Sequence, residues 1–169
     1  MSPTAKNNRW TPPPLSVFKI NVDAATSEDD INSSVGAIIR DSCGAVIVAC
    51  YKYLQGQYLV AKVEAIAVEI RIMLARDMKI SQVIIESDAT STVNSINEKF
   101  VDGNLGHLYQ GILALLNSFS SYKINNMKRE YNRATHELAH LARNGKASQV
   151  WVGASPSVVQ EVVQVDYIM

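Results

Sequence analysis

Polar and apolar positions change period several times along the chain, and each change marks an element. In residues 15–25, LSVFKINVDAA, Phe18, Ile20 and Val22 alternate with Val17, Lys19, Asn21 and Asp23. A period of two predicts a strand whose apolar parity faces a core and whose polar parity ends at Asp23. Residues 35–40 and 45–53 are rich in β-formers and flank Asp41-Ser42-Cys43-Gly44, which predicts a hairpin. The period then lengthens over residues 61–79. Val63, Ile66, Ala67, Ile70, Met73 and Leu74 recur there at helical spacing, with Glu64 in the first turn at the margin of that face. A short apolar strand over 81–89 follows, with Asp88 at its end, where a helix to about 97 starts. A further helix is predicted at 107–119, a last strand at 122–128, and a final helix capped by Asn132. The order β-β-β-α-β-α-α-β-α predicts the α/β class, a mixed sheet with helices packed on it.

Two flanks stand outside this pattern. Residues 1–14 end in WTPPP and read as an extended, proline-rich linker, because three consecutive prolines remove three backbone donors. The domain proper is then 15–147. Residues 148–169 form a tail that the pattern does not place; its Val158, Val159, Val162, Val163 and Val165 suit covering a sheet edge or another subunit.

Composition narrows the classes. The length suffices for one domain with a real core. Sixteen basic and sixteen acidic residues cancel, so no global field favours nucleic acid or a membrane surface. Locally, Lys123, Lys128, Arg129, Arg133, Arg143 and Lys146 face only Glu130 and Glu137. Cys43 and Cys50 flank a turn and its strand, which suits reduced thiols in an intracellular protein. Cytoplasm and nucleus are not distinguished, and oligomeric state is left open. No apolar run approaches membrane-spanning length, and the N-terminus lacks the apolar core of a secretory signal.

The candidate chemistry is acidic. Asp23 ends the polar parity of a strand, Glu64 opens a helix, and Asp88 ends another strand. Converging carboxylates suit magnesium, a hard cation that takes oxygen ligands and keeps waters for substrate phosphates. Two such ions can run in-line phosphoryl chemistry. A second pattern competes: His136-Glu137-Leu138-Ala139-His140 is a literal H-E-x-x-H, the pattern of a zinc protease helix. Its longer form fails, because Arg143 occupies the glycine place and no third histidine follows; Glu161 is the remaining candidate ligand. The helix stripe Ala134, Leu138, Leu141 and Ala142 turns both imidazoles away from the core. Glu28, Asp29 and Asp30 read as a solvated loop, and Glu86 shares the parity of Asp88. Arg71, Arg76 and Lys79 read as exposed helix charges.

FKINVDAA, VEAIAVEIRIMLARDM, VIIESDAT and NRATHELAHLA, taken in order, resemble the four motif blocks of the type-1 ribonuclease H family. WTPPP, Trp151 and Pro156 are similar to its plant branch, found as reverse-transcriptase-associated and stand-alone domains. The resemblance implies a five-stranded mixed sheet of order 3-2-1-4-5 with helices on both faces. It implies metal-dependent hydrolysis of the RNA strand in RNA–DNA hybrids, with magnesium, or manganese in its place. Asp23, Glu64 and Asp88 match three of the family's metal-binding carboxylates. The fourth lies four residues after an asparagine; here that asparagine is Asn132 and the residue is His136. Imidazole suits magnesium poorly and manganese or zinc better, so the departure predicts a weakened site. An impaired module that binds nucleic acid or protein is the alternative. Other departures run the same way: MKREYN lacks the family's mobile histidine, with Arg129 the nearest residue, and Ala24 replaces a common glycine. Residues 99–121 lack room for a lysine-rich protrusion. Hybrid contacts then fall to the basic stretch, with Lys128, Arg129 and Arg133 as candidates.

Overall fold

The computed structural model describes residues 10–26, 32–56 and 58–168. The first three strands, β1 (Phe18–Thr26), β2 (Asn32–Arg40) and β3 (Val46–Gln55), form an antiparallel meander. The predicted hairpin turn is there: Asp41 Oδ1 accepts from the Cys43 and Ala45 amides, and Gly44 takes a positive φ of 80°. Helix α1 (Val60–Asp77) leads to β4 (Gln82–Ser87), which pairs parallel to β1. Helices α2 (Thr90–Asn97) and α3 (Gly106–Leu116) precede β5 (Ser121–Asn126), parallel to β4. A 3-10 turn at Arg129–Tyr131 leads into α4 (Arg133–Gly145).

The tail completes the sheet. Strand β6 (Gln149–Val152) pairs with β3, and α5 (Ser157–Ile168) packs on α4. The order is β5-β4-β1-β2-β3-β6. The implied arrangement 3-2-1-4-5 is present, and six strands replace the expected five. Val159 and Val162 are buried with Leu138 and Ile38, so these two tail valines cover α4 and its face of the sheet.

Helices α1 to α3 cover one face, where Ile20, Val22, Ile72 and Ile85 belong to one apolar cluster. Helix α4 covers the other, packed on β1, β2 and β3. It approaches closely at Gly36, where a Cβ would sit 2.7 Å from Ala139 N and press on the Thr135 carbonyl oxygen. The polar parity of β1 is also buried. Trp10, within the segment read as a linker, is 2% exposed and closes over it. Its Nε1 donates to Asn21 Oδ1 at 2.9 Å, and the Arg40 guanidinium stacks 3.9 Å from its ring centroid.

The predicted face of α1 is rotated. Its buried residues are Val63, Ala65, Ala67, Val68, Arg71, Ile72 and Ala75, whereas Met73 is 40% exposed. The cause is that α1 packs on both the sheet and α3, so larger apolar residues also occur on its flank. Arg71, read as an exposed charge, is only 4% exposed. Glu28, Asp29 and Asp30 lie outside the described residues.

Candidate active site

Asp23, Glu64, Asp88 and His136 line one cleft of about 480 Å³. Four elements bring them together. Asp23 sits on β1 beside Gly36 of β2, the position over which α4 passes. Glu64 is the fifth residue of α1, one residue further into the helix than expected, because the helix starts at Val60. Asp88 follows β4, directly before α2. His136 is on the first turns of α4.

Asn132 locks that helix to the strand. It occupies the N-cap position, but its side chain makes no capping bond. Instead Nδ2 donates to the Val22 carbonyl oxygen at 2.8 Å, one residue before Asp23. Ser34 Oγ donates to the Ala139 carbonyl oxygen at 2.7 Å and ties the same helix to β2. These bonds fix the height at which His136 meets Asp23: Nδ1 lies 3.1 Å from Asp23 Oδ2.

The cleft concentrates negative charge. Burial, then the charge of Asp88, push the Asp23 carboxyl up to about 6, against the Ala24 amide and His136, which favour its ionised form. Burial and Asp88 also raise Glu64. Arg129 pairs with Asp88, its Nε 3.7 Å from Oδ2 on a largely exposed side chain. Lys128 and Arg133 are exposed and do not line the cleft. Arg143 and His140 do, from the outer side of α4; both sat in patterns the sequence showed, without assignment to this site.

Three carboxylates and an imidazole fit a divalent cation by donor chemistry, and the mutual repulsion of Asp23, Glu64 and Asp88 is what a cation relieves. Among the described residues, no three His, Cys, Asp or Glu side chains are already drawn to ligating spacing. The H-E-x-x-H residues do not act as a unit. His136 turns to Asp23, whereas His140 Nδ1 lies 3.4 Å from Arg143 Nη2. Glu86 is held outside the cleft by Asn21 Nδ2 at 3.1 Å and Lys19 Nζ at 3.5 Å.

Comparison with known proteins agrees with this fold. The model of the Reverse transcriptase-like family matches residues 21–142. No curated protein matches the chain. Among solved structures, ribonuclease H1 of the halophilic archaeon Halobacterium salinarum superposes with a TM-score of 0.70 at 17% identity, covering 76% of this chain and 98% of that one. A compost-metagenome ribonuclease H1 in complex with an RNA/DNA hybrid gives 0.68 at 18% identity, with 76% and 98% covered. The N-terminal ribonuclease H domain of a Mycobacterium tuberculosis protein gives 0.70 at 15%, with 76% and 94% covered. The chain belongs to the reverse transcriptase-like family and has the fold of type-1 ribonuclease H.

Proposed function

We propose that this protein is a metal-dependent endoribonuclease that cleaves the RNA strand of RNA–DNA hybrids. The carrying observation is the meeting of Asp23, Glu64 and Asp88 in one cleft, with Asp23 held near a carboxyl pKa of 6 by burial and by Asp88. The solved relative bound to an RNA/DNA hybrid supports the substrate class.

Asp23, Glu64, Asp88 and His136 would hold magnesium or manganese. The bound ions would supply positive charge to the phosphate and an activated water. Hydrolysis adds water across the P–O3′ bond and leaves a 5′-phosphate and a 3′-hydroxyl. The chain's own part is placement. The Ala24 amide donates to Asp23 Oδ1 at 2.8 Å and fixes one carboxylate oxygen. Arg129 and Arg143 on the cleft wall suit phosphate oxygens, and Lys128 and Arg133 extend the cationic surface beside it.

His136 works against this activity. It replaces an anionic oxygen donor and also lies against the Asp23 oxygen that a cation would take. Cleavage is therefore expected to be slow and to prefer manganese. Labelled hybrid incubated with either metal tests both statements. Asp88→Asn is expected to lower the rate at least about a hundredfold, and His136→Asp to raise the magnesium rate. Equal magnesium rates in His136→Asp and the wild type would sink the proposed role of His136.

A second reading has its own support. Asp23 and Asp88 already have His136 and Arg129 as partners, which suits a module that binds nucleic acid or protein without cutting. Hybrid binding with no cleavage under either metal selects that reading.

A further inference from the structure

Away from the cleft, and sharing none of its lining residues, a second cavity of about 510 Å³ opens between α1 and the β3–β6 side of the sheet. Arg71 lines it, two turns beyond Glu64 and about 11 Å further along α1. Its Nη1 donates to Cys50 Sγ at 2.8 Å. Its Nε and Nη2 have no hydrogen-bond partner among the described residues and no contact with solvent.

Cys50 does not neutralise the guanidinium. Burial pushes its thiol up, against the pull of Arg71, and its Sγ donates to the Ala37 carbonyl oxygen at 3.8 Å. Arginine stays protonated at any ordinary pH. Asp77 lines the same cavity, but it is exposed and takes neither free donor. Among the described residues a full charge is therefore held out of water without a counter-ion, an arrangement that strongly favours an anionic occupant.

The rest of the wall limits that occupant. Ile70, Met73, Leu74 and Val150 make it largely apolar. The exposed Lys52 and Asp77 offset each other at the rim, which leaves the one buried guanidinium to match one negative charge. Nε and Nη2 are the side-on pair that a carboxylate takes through both oxygens. The cavity volume lies in the range of small-molecule sites. Reaching the two donors requires the wall to give, and the unbranched, half-exposed Met73 supplies a side chain able to move.

We propose that this cavity binds a monocarboxylate with an apolar body, seated with its carboxylate on Arg71 and its chain along Ile70, Met73 and Leu74. The carboxylate belongs either to a free organic acid or to the C-terminus of an apolar peptide.

Calorimetric titration of the full chain tests this with octanoate, octanol, inorganic phosphate, and a trileucine peptide with a free or an amidated C-terminus. Octanoate is expected to bind about tenfold or more tightly than octanol, and the preference is expected to vanish in Arg71→Met. Arg71→Met should melt higher than the wild type, because it removes a buried charge. Should it fail to fold, Arg71→Lys keeps the charge, loses the fork, and is expected to weaken octanoate about tenfold. Binding of the free-ended peptide alone upholds the carboxylate site and assigns its source. Equal affinity for octanol and octanoate, phosphate binding as well as octanoate, no binding by any probe, or a preference that survives Arg71→Met overturns the proposal.

Discussion

The two faces of the sheet are held by different forces. Under α1 to α3, contact is mainly apolar, through residues such as Ile20, Val22, Ile72 and Ile85. Under α4 and Trp10, the sheet buries Lys19, Asn21, Asp23, Ser34 and Arg40. Apolar contact gives adhesion but little direction, because it scales with area. Hydrogen bonds at fixed length give direction, and a buried polar group left unpaired is costly. The polar face therefore sets the register of α4 on β1 through Asn132 to Val22 and Ser34 to Ala139. The proposed active site stands where that register is needed, and the apolar face is its platform.

The contrast is broken most severely at Gly36. A methyl group there meets the backbone of α4 at Ala139 N and at the Thr135 carbonyl oxygen, neither of which can rotate aside. Gly36→Ala is expected to cost about 3 kcal/mol in urea unfolding and to lower hybrid cleavage sharply, because a displaced α4 loses the Asn132 bond to Val22 that holds β1 beside Asp23. Ile85→Val on the opposite face is expected to cost about 1 kcal/mol and leave cleavage per folded molecule unchanged. Wild-type stability in Gly36→Ala would show that α4 is not held as described.

Trp10 ranks next. Trp10→Ala uncovers Lys19, Asn21 and Arg40 together and is expected to cost about 3 kcal/mol. Trp10→Phe keeps a ring over Arg40 but leaves Asn21 Oδ1 without its donor, and about 1 kcal/mol is expected. Melting curves of the two variants separate the ring from the hydrogen bond. Equal losses would mean that packing alone holds the segment.

These positions also show what the sequence discloses. The alternation through β1, the hairpin turn at Gly44 and the order of elements were legible, because each rests on local period or turn chemistry. So was the meeting of Asp23, Glu64 and Asp88, through their places at element ends and through family resemblance. The rest depends on contacts between distant segments. Trp10 belongs to a stretch whose prolines suggest a linker, yet its ring is buried by residues 11 and 30 positions away, Asn21 and Arg40. The face of α1 was mis-phased because that helix has two packing partners, and a single apolar stripe cannot represent both. Arg71 shared the error, since charge predicts exposure unless a particular environment overrides it. Asn132 was placed at its N-cap position, but its hydrogen bond to Val22 joins residues 110 apart in sequence.

The smallest expected effect is the most specific to the proposed site. The Asp23 carboxyl is raised from 3.8 to about 6, chiefly by burial and then by Asp88. A carboxyl raised in the folded state contributes stability fully below its unfolded pKa, and that contribution is lost as pH rises through the folded value. Wild-type protein in chelator should therefore lose stability between about pH 4 and pH 6, on the order of 1–3 kcal/mol from this group. Asp23→Asn removes the titration while keeping a similar shape. Its stability advantage over the wild type should be absent near pH 4, grow through pH 6 and level off above pH 7. Magnesium or manganese should shrink that advantage at pH 7.5, since a cation bound to the wild type offsets the same repulsion. Urea midpoints of both proteins at pH 4.5, 6 and 7.5, with and without metal, give the comparison directly. A constant difference across pH would mean that Asp23 is not the strained carboxylate, and a difference unmoved by either metal would count against the cleft as a cation site.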